Sequence, residues 1–163
     1  MLIEFLIAGG LRLVSMAIVL VMVTVVIHAV GFDLLLRAMM RSHALDRSGF
    51  WHVMRWVIGL TSWLILIHSV EIDVWGLFYS WQGCLPDAES AFYFSGVTYT
   101  TLGYGDLFLP KPWRMLAPLE ALTGILMCGL STGLFFAAIT RWISNYMRRK
   151  PTLEPQAEEH TKQ

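Results

Sequence analysis

Apolar positions follow one another in three long runs, at residues 13–36, 56–81 and 115–143. Residues 2–10 are also apolar and can add turns before the first run. Because about 20 residues of helix cross the hydrocarbon core of a bilayer, each long run predicts a transmembrane helix. A further apolar piece at residues 91–97 is too short to span. The pattern therefore predicts an all-α membrane protein with three transmembrane helices and a shorter helix between the second and the third.

The composition favours the same class. Hydrophobic residues make up 56% of the 163 and charged residues 15%, whereas about a quarter of the residues of soluble domains are charged. The 12 basic residues balance the 12 acidic ones, which argues against a nucleic-acid binder because such proteins carry a basic excess. A cleaved signal peptide is the alternative for the first run, but its first cation is Arg12 and its apolar part is longer than such peptides need.

The sequence contains two cysteines, which do not suggest a metal site. Cys84 and Cys128 have no metal-site spacing, so we expect free thiols unless Cys84 pairs with another chain.

The basic residues predict how the chain is oriented in the membrane. They cluster between the first two runs and after the third, which predicts that both regions are cytoplasmic. The N-terminus and the segment between the second and third runs would then lie outside the cell membrane, although Lys111 and Arg114 count against this. The cytoplasmic clusters are Arg37, Arg41, Arg47, Arg55, Arg141, Arg148, Arg149 and Lys150.

The piece before the third run has the features of a short helix that ends inside the membrane. Pro86 and Asp87 form a helix start with Asp87 as N-cap, and residues 88–97 supply about three turns. The carbonyl end of such a helix carries about half a negative charge, which favours a nearby cation. Irregular backbone beyond it is tolerated at membrane depth only when it is buried in protein or lines a water-filled cavity.

That irregular backbone is the sequence TYTTLGYGD at residues 98–106, called the glycine segment below. Gly103 and Gly105 can adopt the positive φ values that a ladder of carbonyls facing one axis requires. Four copies of such a ladder would form rings of oxygens able to replace the hydration shell of an ion. The alternative is an ordinary glycine-rich turn in a membrane hairpin.

The order of outer helix, short helix, TTLGYGD and inner helix, over about residues 56–143, resembles the potassium channels, and most of all their short bacterial members with an extra N-terminal helix. The resemblance implies a homotetramer in the membrane that conducts K⁺ selectively and passively, without catalysis and with no cofactor other than the bound K⁺. It implies K⁺ sites at Thr101, Leu102, Gly103 and Tyr104, completed by Gly105, with Asp106 at the outer mouth. It divides the single domain into the extra helix at 1–36, a basic cytoplasmic loop at 37–55, the outer helix, pore loop and inner helix at 56–145, and a short disordered cytoplasmic tail at 146–163.

The glycine segment departs from that family at a few positions. Leu102 stands where valine is usual, and its outward-facing side chain should leave selectivity intact. Tyr93 and Phe94 occupy the places of a tryptophan pair that braces the filter in many relatives. Tyr93 can still reach Asp106, whereas Phe94 has no donor for the Tyr104 hydroxyl. Thr98 is the candidate replacement for that donor, and Val97 stands where some relatives carry a glutamate.

Ionisable residues inside the runs form a second group of candidates, because such residues are costly at membrane depth. His68 and Glu71 share a helix face, and three roles are open: bracing the short helix with Arg12 or Glu120 as partners, sensing protons, or binding a metal with further ligands. Glu120 is expected to anchor the scaffold of the filter, whereas His28 and Asp33 are expected at the cytoplasmic interface without a role. Filter support is thus expected from Tyr93, Thr98, Thr100, Asp106, Glu71 and Glu120.

The third run contains candidates for a gate. Gly129 and Gly133 can permit a bend of the inner helix, although close packing explains small residues equally well. Ser131 and Thr132 are expected to face a water-filled cavity. An apolar constriction is expected from Phe135, Phe136 and Ile139, with a lipid-facing stripe as the alternative. Because no helix carries an arginine at every third position, voltage sensing is not expected. A weakly selective cation channel and a subunit of a potassium transporter remain alternative functions.

Overall fold

The computed structural model describes residues 2–41 and 50–149, and in these ranges it contains helices and connecting loops but no strand. Three of the helices are long and apolar enough to cross a membrane, over Gly10–Arg41, Val53–Trp81 and Trp113–Ser144. The all-α membrane fold predicted from the apolar runs is therefore confirmed. In chain order the elements are α1 (Leu2–Arg41), α2 (Phe50–Trp81), the short helix α3 (Ala88–Tyr99), a 3₁₀ turn (Trp113–Met115) and α4 (Leu116–Arg149).

The helices extend further than the sequence predicted at the ends that were expected to be cytoplasmic. The loop assigned to residues 37–55 is helical up to Arg41 and again from Phe50, and residues 42–49 lie outside the described ranges. Neither glycine nor proline interrupts residues 37–41, and Arg37 pairs with Asp33 one turn earlier at 2.7 Å. The tail assigned from residue 146 is likewise helical to Arg149. Residues 150–163, predicted to be disordered, are not among those described.

Helix α1 packs against α2 through a single stripe of buried positions spaced three and four residues apart. Trp75 donates a 3.0 Å hydrogen bond from its indole nitrogen to the Thr24 hydroxyl, and Trp63 donates to the Gly31 carbonyl at 3.0 Å. The opposite face of α1, with Ile18 and Met22, is exposed. The buried stripe consists of Ala17, Leu20, Thr24, His28, Gly31 and Leu35.

Helix α3 lies between α2 and α4 and contacts both at close range. A Cβ added to Gly76 of α2 would lie 3.1 Å from the Phe92 Cα. On the other side, a Cβ added to Gly124 of α4 would overlap the carbonyl oxygen of Tyr99, the last residue of α3. The most apolar 18-residue windows of the three spans are only 22%, 22% and 28% buried within one chain. Most of the surface of the spans is thus left for lipid or for other chains.

Candidate functional site

The short helix α3 begins as the sequence predicted and ends two residues later than predicted, at Tyr99. The Asp87 carboxylate caps it by accepting from the Ser90 amide at 2.7 Å. Thr100 closes the other end, because its hydroxyl donates to the Gly96 carbonyl at 2.6 Å. The hydroxyl of Thr100 therefore serves the end of α3 rather than the glycine segment beyond it.

The backbone of the glycine segment is held to the last turn of α3 by its amide groups. The Thr101 amide donates to the Thr98 carbonyl at 2.9 Å, and the Leu102 and Gly103 amides donate to the Val97 carbonyl at 2.9 and 3.3 Å. Consecutive N–H groups of the segment are thus turned toward α3. Among the described residues, the carbonyl groups from Thr101 to Tyr104 accept no backbone hydrogen bond.

The signs of φ alternate from residue to residue between Thr101 and Gly105 of the glycine segment. Thr101, Gly103 and Gly105 have φ values of 60°, 54° and 77°, whereas Leu102 and Tyr104 between them do not have positive φ. Such alternation turns successive carbonyls to one side of the chain and successive N–H groups to the other. The two glycines were predicted to take this role, but Thr101 was not. Thr101 alone among the described non-glycine residues has a positive φ, which sequence composition gives no means of finding.

The side of the glycine segment that faces away from α3 is open in the single chain. Every residue from Thr101 to Asp106 is exposed, and the side chains of Leu102 and Tyr104 are 59% and 68% exposed. Irregular backbone at membrane depth is tolerated only where protein covers it or where it lines a water-filled cavity. The segment therefore offers both its carbonyls and its side chains to something outside this chain.

The C-terminal end of the glycine segment is tied to α3 by Asp106. The Tyr93 hydroxyl donates to the Asp106 carboxylate at 2.8 Å, as the sequence had suggested, and the Leu107 amide donates to the same side chain at 3.1 Å. This hydrogen bond raises the pKa of Tyr93. Within the described part of one chain, Thr98 makes no hydrogen bond with Tyr104, so its role as a substitute donor stays a prediction.

Glu120 of α4 joins three helices beneath the segment. It is fully buried, it accepts a 2.7 Å hydrogen bond from the Tyr79 hydroxyl of α2, and it lies 2.6 Å from the Ser95 hydroxyl of α3. Ser95 also lies 2.8 Å from the Ile72 carbonyl of α2. This arrangement matches the anchoring position expected for Glu120.

A second buried cluster, called the Glu71 cluster, consists of His28, His68, Glu71, Tyr99 and Ser131. Glu71 of α2 is fully buried, and Nδ1 of His28 on α1 lies 2.8 Å from its Oε1. Nδ1 of His68 lies 3.1 Å from the Glu71 Oε2, and the Tyr99 hydroxyl donates to the same carboxylate. Nε2 of His68 reaches the Ser131 hydroxyl of α4 at 2.9 Å. The Glu71 cluster thus connects α1, α2, α3 and α4.

The Glu71 cluster corrects three expectations drawn from the sequence. His28 is not interfacial but buried, with 3% of its side chain exposed. The partners of Glu71 are His28, His68 and Tyr99 instead of Arg12 or Glu120. Ser131 is buried against His68 instead of facing a cavity. The spacing of His28 after Thr24 and before Gly31 was the available signal, since it puts His28 on the buried stripe of α1.

The gate candidates of α4 lie on an uninterrupted helix. The helix continues through Gly129 and Gly133, and an added Cβ at either would meet no atom within 4 Å in this chain. Phe136 is 71% exposed, whereas Phe135 packs partly against a cluster of buried residues that includes Leu35 and Ile139 is half-buried. Gating by these residues stays a prediction.

The two cysteines lie in different surroundings, as expected. Both are free thiols, and Cys84 is buried whereas Cys128 is exposed in the single chain. Burial raises the pKa of the Cys84 thiol, which belongs to the loop before α3. Cys84 is therefore a packing residue of the cluster formed with Trp75 and Tyr79.

Three membrane-length helices, with a short helix and a glycine-rich loop inserted between the last two, define a membrane protein of the pore-loop type. The model of an ion channel family matches residues 50–141. Because this match covers more than half of the chain, the chain belongs to that family of two-helix, pore-loop ion channels in the potassium-channel-like superfamily. Helix α1 lies outside the matched residues. Curated proteins and solved structures gave no match.

Proposed function

We propose that this ion channel is a homotetramer that conducts K⁺ selectively and passively across the cell membrane, with residues 101–105 as its filter. The observation that carries the proposal is the alternating sign of φ from Thr101 to Gly105. That alternation gives four consecutive carbonyls, from Thr101 to Tyr104, a common direction. A random glycine-rich turn has no reason to repeat the alternation over five residues.

The chemistry of the filter follows from the cost of dehydrating an ion. Removing a monovalent ion from water into a low-dielectric medium costs on the order of 20 kcal/mol. Carbonyls of Thr101, Leu102, Gly103 and Tyr104 from four copies, with the Thr101 hydroxyl, would supply rings of oxygen in place of water. The carbonyl end of α3 adds a favourable field for a cation on the inner side. Bound K⁺ is the only cofactor this mechanism needs.

The incomplete carbonyl rings and the exposed side chains of one chain support the homotetramer. One copy supplies a quarter of each carbonyl ring, and its exposed Leu102 and Tyr104 have no cover from their own chain. We assign the N-terminus and the glycine segment to the outer side, because basic residues cluster from the end of α1 to the start of α2 and again at the end of α4. Asp106 then lies at the outer mouth, where its bond to Tyr93 holds the end of the filter.

Ion flux from liposomes that contain the purified full chain tests the proposal, with K⁺ and Na⁺ gradients compared. We expect K⁺ flux to exceed Na⁺ flux and to disappear in Gly103→Ala, because φ at Gly103 is 54° and a Cβ is strained there. Gly83→Ala is the matched control. Gly83 has a φ of 62° in the loop before α3 and equally open surroundings, so the strain is similar but the filter is untouched.

Each other outcome has a definite meaning. Equal K⁺ and Na⁺ fluxes would favour a weakly selective cation channel. Uptake of K⁺ against its gradient, driven by another ion, would favour a transporter subunit. Loss of flux in Gly83→Ala as well as in Gly103→Ala would assign the loss to backbone strain in general. K⁺-selective flux that survives in Gly103→Ala would remove residues 101–105 from their assigned role.

A further inference from the structure

We propose that the Glu71 cluster is a binding site for a divalent transition metal of the Zn²⁺ class, with His28, His68 and Glu71 as its ligands. The inference goes beyond ion conduction and does not depend on it. Sequence spacing offered only two ligands, His68 and Glu71, which is too few for a structural site. The fold adds His28 from α1, and the ligand atoms of all three residues lie within 4.8 Å of one another.

The distances between donor atoms are close to those of a metal site. His28 Nδ1 and His68 Nδ1 lie 2.8 and 3.1 Å from the two oxygens of Glu71, and the Tyr99 hydroxyl lies 3.0 Å from His68 Nδ1. Ligands about 2.0–2.1 Å from a tetrahedral zinc are separated by roughly 3.3 Å. Side-chain rotations that bring the three ligand atoms, now within 4.8 Å of one another, around one centre would therefore convert the hydrogen-bonded cluster into a coordination sphere with Tyr99 or water as fourth ligand.

The charge and chemistry of the Glu71 cluster suit such an ion. In the described residues Glu71 pairs with the two histidines and with neither lysine nor arginine, so with neutral imidazoles the cluster carries one uncompensated negative charge inside the membrane. Two imidazoles and a carboxylate are ligands typical of Zn²⁺ and its first-row neighbours. His68 also has the outer contact that ligating histidines commonly show, because its Nε2 lies 2.9 Å from the Ser131 hydroxyl.

Histidine at position 28 is costly to the fold. Nε2 of His28 is buried without a hydrogen-bond partner among the described residues, and an orphaned polar atom in an apolar medium is costly whether or not Nδ1 holds a metal. An apolar residue at position 28 would pack against α2 without that cost. His68, 18% exposed, is the member through which an ion can enter. A bound metal would connect α1 directly to α2 and lie beside Tyr99, two residues before the filter.

Zinc binding to the purified full chain in detergent, stripped of metal with a chelator and then dialysed against Zn²⁺ alone, tests this site. We expect about one retained zinc per chain, and at least a tenfold loss of affinity in His28→Asn and in His68→Asn. Asparagine keeps a donor near the position of Nδ1, so the hydrogen bond to Glu71 can persist while the metal ligand is lost. Asp73→Asn, which removes an exposed carboxylate from the same helix, should bind zinc as tightly as the unaltered chain.

Two further measurements keep the test independent of folding and of conduction. The midpoint of thermal unfolding should rise with Zn²⁺ in the unaltered chain and in Asp73→Asn but not in His28→Asn. The fine structure of the X-ray absorption spectrum at the zinc edge should show scattering from two imidazole ligands. Equal zinc retention by the histidine variants, a zinc spectrum without imidazole, or a folded chain that retains no zinc would overturn the proposal whether or not the pore conducts K⁺.

Discussion

Thr101 carries a local backbone strain that its neighbours must hold in place. A β-branched residue at a φ of 60° is unusual, and such conformations cost on the order of 1–3 kcal/mol. The amide of Thr101 bonds the Thr98 carbonyl, and the next two amides bond Val97, so the end of α3 fixes the conformation. Strain that persists because the surrounding structure determines it is typical of functional sites.

Two substitutions of Thr101 distinguish the effect of its strained backbone from the effect of its hydroxyl. Thr101→Gly should relieve the strain and leave the unfolding midpoint unchanged or higher, while K⁺ flux or its preference over Na⁺ falls because one ring of oxygens is lost. Thr101→Ser keeps the hydroxyl and should retain most of the K⁺ selectivity. Liposome flux together with unfolding in the same detergent checks both. A glycine variant as selective as the original chain would show that the hydroxyl takes no part in ion binding.

The position of helix α1 against α2 depends on a few polar contacts between the two helices. Trp75 and Thr24 are both fully buried, and the indole of Trp75 donates to the Thr24 hydroxyl at 3.0 Å. That hydroxyl also donates to the Leu20 carbonyl of its own helix at 3.0 Å. A hydrophobic driving force between helices is absent in lipid, so packing and such hydrogen bonds decide how α1 is seated.

A double-mutant cycle measures this contact. Thr24→Val keeps the shape but leaves the indole N–H unpaired, which should destabilise the chain by about 1–3 kcal/mol. Adding Trp75→Phe removes the orphaned donor, so the double variant should lose less than the two single losses together. Unfolding by a denaturing detergent provides the free energies. Strictly additive losses would mean that the two side chains do not interact across α1 and α2.

The crossing of α4 and α3 depends on Gly124, because a Cβ there would overlap the Tyr99 carbonyl oxygen. Gly124→Ala should therefore destabilise the chain by about 1–3 kcal/mol and reduce K⁺ flux, since backbone cannot yield as a flexible side chain can. Gly59→Ala is the control, as its added Cβ meets nothing within 4 Å and alanine gains about 0.5–1 kcal/mol in a helix. The same detergent unfolding compares the two. A neutral Gly124→Ala would contradict the close crossing.

The sequence predicted well those elements whose bounds depend on neighbouring residues alone. The three spans followed from run length, and the start of α3 followed from Pro86 and Asp87. Which faces of two helices meet depends on their relative rotation, which no local pattern encodes. For that reason Ser131 was expected in a cavity, although it belongs to the Glu71 cluster. His28 was expected at the interface although its spacing from Thr24 and Gly31 places it on the buried stripe of α1. The positive φ of Thr101 was not predicted for a similar reason, because it depends on hydrogen bonds to the last turn of α3.

At the scale of the whole molecule, α1 is more than an addition to a two-helix channel. It lies outside the residues matched by the family model, yet it contributes His28 to the Glu71 cluster and Thr24 to the contact with Trp75. Glu71 in turn accepts from Tyr99, at the end of the helix that precedes the proposed filter. A change in α1 therefore has a short path, through two side chains, to the proposed ion sites.

The proposed homotetramer gives a quantitative prediction when two kinds of chain share one assembly. Co-expressing equal amounts of the unaltered chain and Gly103→Ala should leave about one sixteenth of the full K⁺ flux, because every ring needs four intact copies. The purified particle should also have about four times the 18.5 kDa mass of one chain. Mixing the unaltered chain with Gly83→Ala should leave the flux nearly unchanged, which controls for assembly. A flux of about one half would instead mean that each chain contains its own ion path, and the shared carbonyl rings would have to be abandoned.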